Sequence, residues 1–477
     1  MTAASELMTR VDTAWLRMDS RRNLMMINGV WLLRPALAYE ALRERLQTKL
    51  LGCYPRFRQR VERQALLAYW VEDQEFRIER HLLSEQLPRR RGQSERAALQ
   101  AFAGELASQP LDPAHPLWQM HLIEHYEGDG SAVIVRLHHC IADGIALNAV
   151  LMSIMDGGID LRPPEARPAP PLSDAEWLDK ALLRPATELA VKGIGLWGDG
   201  MAKALGYLAH PQQALGDSAE LLGQGAQLLR DAGALALLPD DSKTLLKGSL
   251  SGAKRVAWCE PLPLAAVKAA AKAMNCSVND VLLCCVAGAF GSWLRERGED
   301  PGGKQIRAMV PVNLRPLEQA WRLGNYFGLV PLVLPIGSAN PVERLYEVRA
   351  RMRDLKRNFQ PLLAYGLLTI SGLLTRPLQK ALAQVFLRKT TAVMSNVKGP
   401  TRPVRICGST LRQSIFWVPA SGNVGLGVSV ISYAGGVQFG LIADTLRCPD
   451  PQAVAERFGP EFEALLKLTR ALPQASV

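Results

Sequence analysis

Five prolines fall within the eleven residues "LRPPEARPAPP", Leu161 to Pro171. Each proline removes a backbone donor and fixes φ, so neither a helix nor an interior strand runs through this stretch. It divides the chain into separately patterned parts, as expected for 477 residues, too many for one ordinary core. The expected organisation is an N-terminal lobe over residues 1–165, a proline-rich linker and helical connector over 166–247, and a C-terminal lobe over 248–477. The connector, from about Asp174 to Lys247, is rich in Leu, Ala and Gly, with helical periodicity and no convincing strand.

Both lobes read as α/β, with sheets flanked by helices. In the first, "YEALRERLQTKLL" has apolar residues at helical spacing, and "SAVIVRLHH" is β-rich and follows the turn signal "EGDG". "IALNAVLMSIMDGG" reads as a helix ending at Gly157 and Gly158. In the second, "VKAAAKAMNCSVNDVLLCCVAGAFGSWLRERG" holds two helices separated by a cap. "QIRAMVPVNLRP", "GLVPLVLPI" and "TAVMSNVKGP" are strand material, and "GVSVISYAGGVQFGLIAD" is a hairpin turning at "YAGGV".

Hydrophobic residues make up 48% and charged residues 21%, a globular composition. The net charge of +11 favours anionic partners. Nucleic acid is not expected among them: aromatics are 6%, and no basic strip is interleaved with stacking residues. The densest basic cluster, Arg89 to Arg91, follows a proline and reads as a solvated loop. Eight scattered cysteines without CxxC pairs, and an N-terminus without the layout of a secretory signal, point to a cytoplasmic protein with reduced thiols. The longest apolar run, Val281 to Leu294, has 14 residues and reads as a core helix, short of the roughly 20 that span a bilayer.

Chemistry concentrates in "VRLHHCIADGIAL", Val135 to Leu147. Strand alternation places Val133, Val135, Leu137 and His139 on one face, and Ile134, Arg136, His138 and Cys140 on the other. His139 thus faces an apolar side at the end of its strand, with a helix starting near Asp143 and Gly144 easing the turn. Asp143 has two readings, N-cap of that helix or a carboxylate holding the local geometry. Adjacent histidines on opposite faces are poorly placed to share a metal ion, and no second cluster has ligand spacing, so no metal is expected. Cys140, pointing away from His139, is a poor nucleophile candidate.

"HHCIADG" resembles the HHxxxDG motif of the bacterial wax ester synthase/acyl-CoA:diacylglycerol acyltransferase family, within the CoA-dependent acyltransferases with an HxxxD motif. Further blocks resemble the family's in the same order: "VDTAWLRMDS", "PLW" at Pro116, "VND" at Val278, "LGNYFG" at Leu323 and "SNVKGP" at Ser395. One departure is Lys398, where the family commonly has proline.

The resemblance implies two chloramphenicol-acetyltransferase-like lobes with mixed sheets, and transfer of a fatty acyl group from acyl-CoA to a long-chain alcohol or diacylglycerol. It implies His139 as general base; His138, Asp143 and Asn279 complete the candidate catalytic set, with Asp143 expected in a structural role. Asn279 is the candidate oxyanion donor; its alternative reading is an N-cap for the helix after it. Gly144, Arg315, Asn325, Ser395 and Asn396 shape the site, with Arg315 as a candidate partner for Asp143. No cofactor is implied beyond acyl-CoA as substrate. The alternatives are an acyltransferase for a polar hydroxyl acceptor and a non-catalytic lipid-binding relative. Peripheral contact with the inner membrane surface or lipid inclusions is a further expectation. Its candidate segment, Leu373 to Lys389, reads either as an interfacial amphipathic helix or as a core-packed one.

Overall fold

The computed structural model describes residues 5–64, 67–158, 240–315, 322–357, 388–420 and 422–471. The proline-rich linker, the connector up to residue 239 and all but the end of the Leu373–Lys389 segment lie outside the described residues.

The first half runs β1 (Glu6–Leu7), α1 (Arg10–Met18), β2 (Met26–Arg34), α2 (Tyr39–Arg45), β3 (Gln59–Gln64), β4 (Leu67–Glu72), β5 (Leu82–Ser84), α3 (Glu95–Ala107), β6 (Trp118–Tyr126), β7 (Gly130–His138) and α4 (Gly144–Ile154). The second runs β8 (Lys254–Trp258), β9 (Leu262–Pro263), α5 (Leu264–Ala273), α6 (Val278–Glu296), β10 (Ile306–Asn313), β11 (Phe327–Leu334), α7 (Pro341–Arg357), β12 (Ala392–Lys398), β13 (Arg405–Ile406), β14 (Ser409–Trp417), β15 (Leu426–Tyr433), β16 (Gly436–Asp444) and α8 (Pro451–Ala471).

Local chemistry accounts for several boundaries. Two of the expected helices meet at Ser277, whose side chain accepts from Asp280 N while the Asp280 carboxylate accepts from Ser277 N, a reciprocal capping box that starts α6. The hairpin β15–β16 turns on Ala434 and Gly435, both at positive φ, as a two-residue connection between twisted strands requires. The apolar run Val281 to Leu294 is the buried body of α6. No single helix among the described residues is long and apolar enough to cross a membrane.

Two large mixed sheets carry the fold. One has the order β13-β14-β2-β7-β6-β5, the other β11-β10-β12-β15-β16-β8 with β9 beside β16; β1, β4 and β3 form a small third sheet. The halves are interleaved, because β14 pairs antiparallel with β2 and so completes the first sheet. A shared apolar cluster results, with Val30, Leu99 and Ile134 packed with Trp258, Ile415 and Trp417. At Gly104 of α3, an added Cβ would stand 2.9 Å from the Lys254 carbonyl, so glycine permits that helix to lie against β8. β7 lies in the middle of the first sheet between β2 and β6, which carries its C-terminal end, and the two histidines, into the interior.

Candidate active site

β7 alternates as expected: Val133 and Leu137 belong to one core cluster, Ala132 and Ile134 to the other. The strand ends at His138, and two main-chain hydrogen bonds fix the turn at its end. His138 N donates to Leu117 O (2.9 Å) and His139 N to Met25 O (2.7 Å), so the chain segments leading into β6 and β2 grip successive residues. Both histidines are buried, at 4% and 6% exposure, so partners rather than burial distinguish them.

The His139 imidazole lies nearly parallel to the Trp15 indole, with centroids 4.5 Å apart and planes 15° apart, and Phe327 lies 5.5 Å away at 47°. Burial holds its pKa below the ordinary 6.5, so the ring is neutral at pH 7. His138 instead accepts at Nδ1 from Cys140 N (3.1 Å), and its Nε2 is 3.9 Å from Asp19 Oδ1. Burial, reinforced by His139 and Arg63, pushes its pKa down to about 3.

Asp143 fulfils both of its readings at once. Oδ1 accepts from Ile145 N (3.1 Å) and Ala146 N (2.9 Å), capping α4. Oδ2 accepts from Arg315 Nη2 (2.9 Å) and Tyr326 N (3.0 Å). Arg315 also donates to the carbonyls of Gly324 and Arg322 and lies over the Tyr326 ring. Asn325 Nδ2 bridges Asp12 Oδ1 and His139 O, each at 2.7 Å. The block "LGNYFG" therefore wraps the histidine turn from the second half of the chain. Gly324, at φ +112°, makes the bend with its Cα beside Asp12, where an L side chain would be strained.

Three expectations are corrected. Cys140 does not take the opposite face: alternation stops where the strand does, and Cys140 packs in the cluster of Trp15 and Leu137. Burial also pushes its thiol well above the usual range, which leaves it inert as a nucleophile. Gly144 does not ease the turn through unusual backbone, since it is the first residue of α4, and an added Cβ would meet open space. Asn279 is not an N-cap, because Ser277 holds that position and Asn279 lies inside the first turn.

The remaining predicted residues form a second group, on α6 and β12. Asn396 Nδ2 donates to Asn279 Oδ1 at 2.6 Å, both side chains being exposed, while Ser395 is buried opposite Ser429. Among the described residues no hydrogen bond joins this group to His139. Sequence reasoning missed Asp12 and Trp15 as individuals, although both stand in the quoted block "VDTAWLRMDS". The available signal was Thr9 three residues before Asp12, a helix start that puts Asp12 and Trp15 on one face.

Residues 8–282 match the model of the wax ester synthase/diacylglycerol acyltransferase catalytic domain. The chain belongs to the wax ester synthase/diacylglycerol acyltransferase family. Residues 323–466 match that family's C-terminal domain. Among curated proteins, the chain is similar to the probable diacylglycerol O-acyltransferase tgs1 of Mycobacterium tuberculosis, 26% identical over 448 residues, covering 92% of this chain and 90% of the relative. Among solved structures it shares the fold of a wax ester synthase/diacylglycerol acyltransferase from Marinobacter aquaeolei VT8, with a TM-score of 0.66 at 21% identity over 98% of this chain and all of that one. It also shares the fold of the first condensation domain of the calcium-dependent antibiotic synthetase, with a TM-score of 0.56 at 14% identity over 98% and 97% of the two chains. As a member of the family, the protein is an acyltransferase.

Proposed function

We propose that this wax ester synthase/diacylglycerol acyltransferase family member transfers a fatty acyl group from acyl-CoA to the hydroxyl of a long-chain alcohol or of diacylglycerol, with His139 as general base. The observation that carries the reading is the state of that residue: a buried, neutral imidazole between Trp15 and Phe327, one residue beyond its strand.

A thioester is already activated, so an alcohol attacks it directly and no covalent intermediate on a Ser or Cys is needed. His139 takes the hydroxyl proton as the new C–O bond forms, which is worth about 10²- to 10⁴-fold. The resulting imidazolium returns the proton to the departing CoA thiolate when the C–S bond breaks, so the base is regenerated. The chemistry calls for no cofactor beyond the CoA thioester. His138 stays neutral and holds the turn through Cys140 N. Asp143 stabilises the frame rather than touching the reacting atoms, since its oxygens are engaged by α4 and Arg315. The tetrahedral oxyanion is assigned to Asn279, whose Oδ1 is held by Asn396, leaving its amide N–H groups as donors.

The apolar rings around His139 suit a lipid substrate and the exclusion of water, which would hydrolyse the thioester. The assigned setting is cytoplasmic, with peripheral contact at the inner membrane surface or lipid inclusions. In the direct test, the purified protein receives labelled palmitoyl-CoA with hexadecanol, dioleoylglycerol or a sugar alcohol. Labelled ester from the lipid acceptors supports the assignment, whereas ester only from the polar acceptor, or none, refutes it. Co-flotation with anionic vesicles is the expected result for membrane contact, and its absence refutes that part.

A further inference from the structure

An imidazole that acts as a base is ordinarily held in plane by a hydrogen bond at its far nitrogen. Here the nearest carboxylate in sequence, Asp143, directs its oxygens to Ile145 N, Ala146 N, Tyr326 N and Arg315. His139 Nδ1 is buried and no carboxylate bonds it; the polar groups nearest the ring are the Asn325 side chain and the residue's own main chain. What meets the faces of the ring is aromatic. Trp15 covers one face at 4.5 Å, and Phe327 lies 5.5 Å from both rings, so the three form a closed cluster.

Trp15 belongs to α1, and so does Asp12, one turn earlier on the same face. Asp12 Oδ1 accepts from both Asn325 N (3.1 Å) and Asn325 Nδ2 (2.7 Å), and that Nδ2 in turn donates to His139 O. One helix thus touches the imidazole through a ring and the His139 main chain through an amide. We propose that Trp15 and Asp12 are positioning residues for His139: Trp15 sets the plane of the imidazole and keeps water from it, and Asp12 fixes the main chain beneath it through Asn325. The inference rests on His139 being the base.

The charged and titratable groups around the ring are Asp143 with Arg315, Asp12 with Arg56, and His138 with Asp19 and Arg63. All but Asp12 are outside α1, so Trp15 substitutions leave them in place. Removing the indole face admits water, and the His139 pKa then moves up toward the ordinary 6.5. A residue that merely stabilised the fold would not move it.

The experiment measures kcat, KM for palmitoyl-CoA and the pH profile of kcat in Trp15→Phe, Trp15→Leu, Asp12→Asn and Asp12→Ala, with His139→Ala as reference and circular dichroism to establish folding. Trp15→Phe keeps a ring face and is expected to stay within about threefold of wild type, while Trp15→Leu loses about 10- to 100-fold in kcat with KM within about twofold. The acid limb of its profile rises toward pH 6.5. Asp12→Asn retains an acceptor and most of the activity, whereas Asp12→Ala loses about 10-fold. A folded Trp15→Leu with the wild-type acid limb overturns the role of Trp15, and Asp12→Asn as impaired as Asp12→Ala overturns that of Asp12. If Trp15→Leu does not fold, Trp15→Met, which fills volume without a ring face, is judged by the same criterion. Turnover surviving in His139→Ala refutes the base itself; loss there with an unmoved profile in Trp15→Leu refutes only the positioning.

Discussion

Asp143 and Arg315 are 172 positions apart in the chain and 2.9 Å apart in the structure, with side chains 5% and 1% exposed. The pair fastens the start of α4, just after the histidines, to the strand end and loop that come from the other half of the chain. Both groups have further hydrogen bonds, Asp143 to the helix cap and Tyr326 N, Arg315 to two carbonyls. That satisfaction is what makes a buried ion pair tolerable.

Arg315→Ala leaves a buried carboxylate without its cation and is expected to destabilise the protein by about 3–5 kcal/mol, with loss of turnover. Urea unfolding followed by circular dichroism measures it. A change below about 1 kcal/mol with normal turnover would mean that the pair does not support the site.

His138 predicts a specific acid sensitivity. Its pKa is about 3 in the folded chain against an ordinary 6.5, so it binds its proton more readily when unfolded. Its contribution to stability is therefore fully present above pH 6.5 and is lost as the pH falls toward 3, on the order of 5 kcal/mol in all. His138→Asn keeps an acceptor for Cys140 N without titrating. Its stability near pH 7 is expected to stay close to wild type, and its decline between pH 6.5 and 3 to be shallower. Parallel declines in the two proteins would sink the argument.

Ser277, the helix cap, and Asn279, the proposed oxyanion donor, are two residues apart and separable by substitution. Ser277→Ala is expected to cost about 1 kcal/mol of stability and leave kcat unchanged. Asn279→Ala is expected to lower kcat by about 10²-fold while its thermal midpoint stays near wild type. A reversal of these two outcomes, read from melting curves and steady-state rates, removes Asn279 from the oxyanion role.

Local periodicity made much of this fold legible. The alternation of β7, the hairpin at Ala434–Gly435 and the buried helix around Cys284 and Cys285 all arise from patterns within a few residues. The Asp143–Arg315 pair was reached only through family resemblance, because nothing in "VNLRP" points toward "HHCIADG". The insertion of β14 into the first sheet was not legible at all: Ser409–Trp417 is not among the stretches read as strands, and local pattern does not say which sheet a strand joins. Cys140 was placed on the wrong face because alternation was carried past the end of the strand. Asp12 and Trp15 went unremarked as individuals because one turn of a helix says which residues share a face but not what lies opposite.

The central claim is that His139, and not its neighbour, removes the acceptor's proton. The most direct measurement is ester formation from labelled palmitoyl-CoA and hexadecanol or dioleoylglycerol, comparing wild type, His139→Ala and His138→Ala at equal folded concentration. Near-complete loss is expected for His139→Ala, by about 10²-fold or more, and a smaller loss for His138→Ala that tracks its stability. Full activity in a folded His139→Ala would contradict the claim.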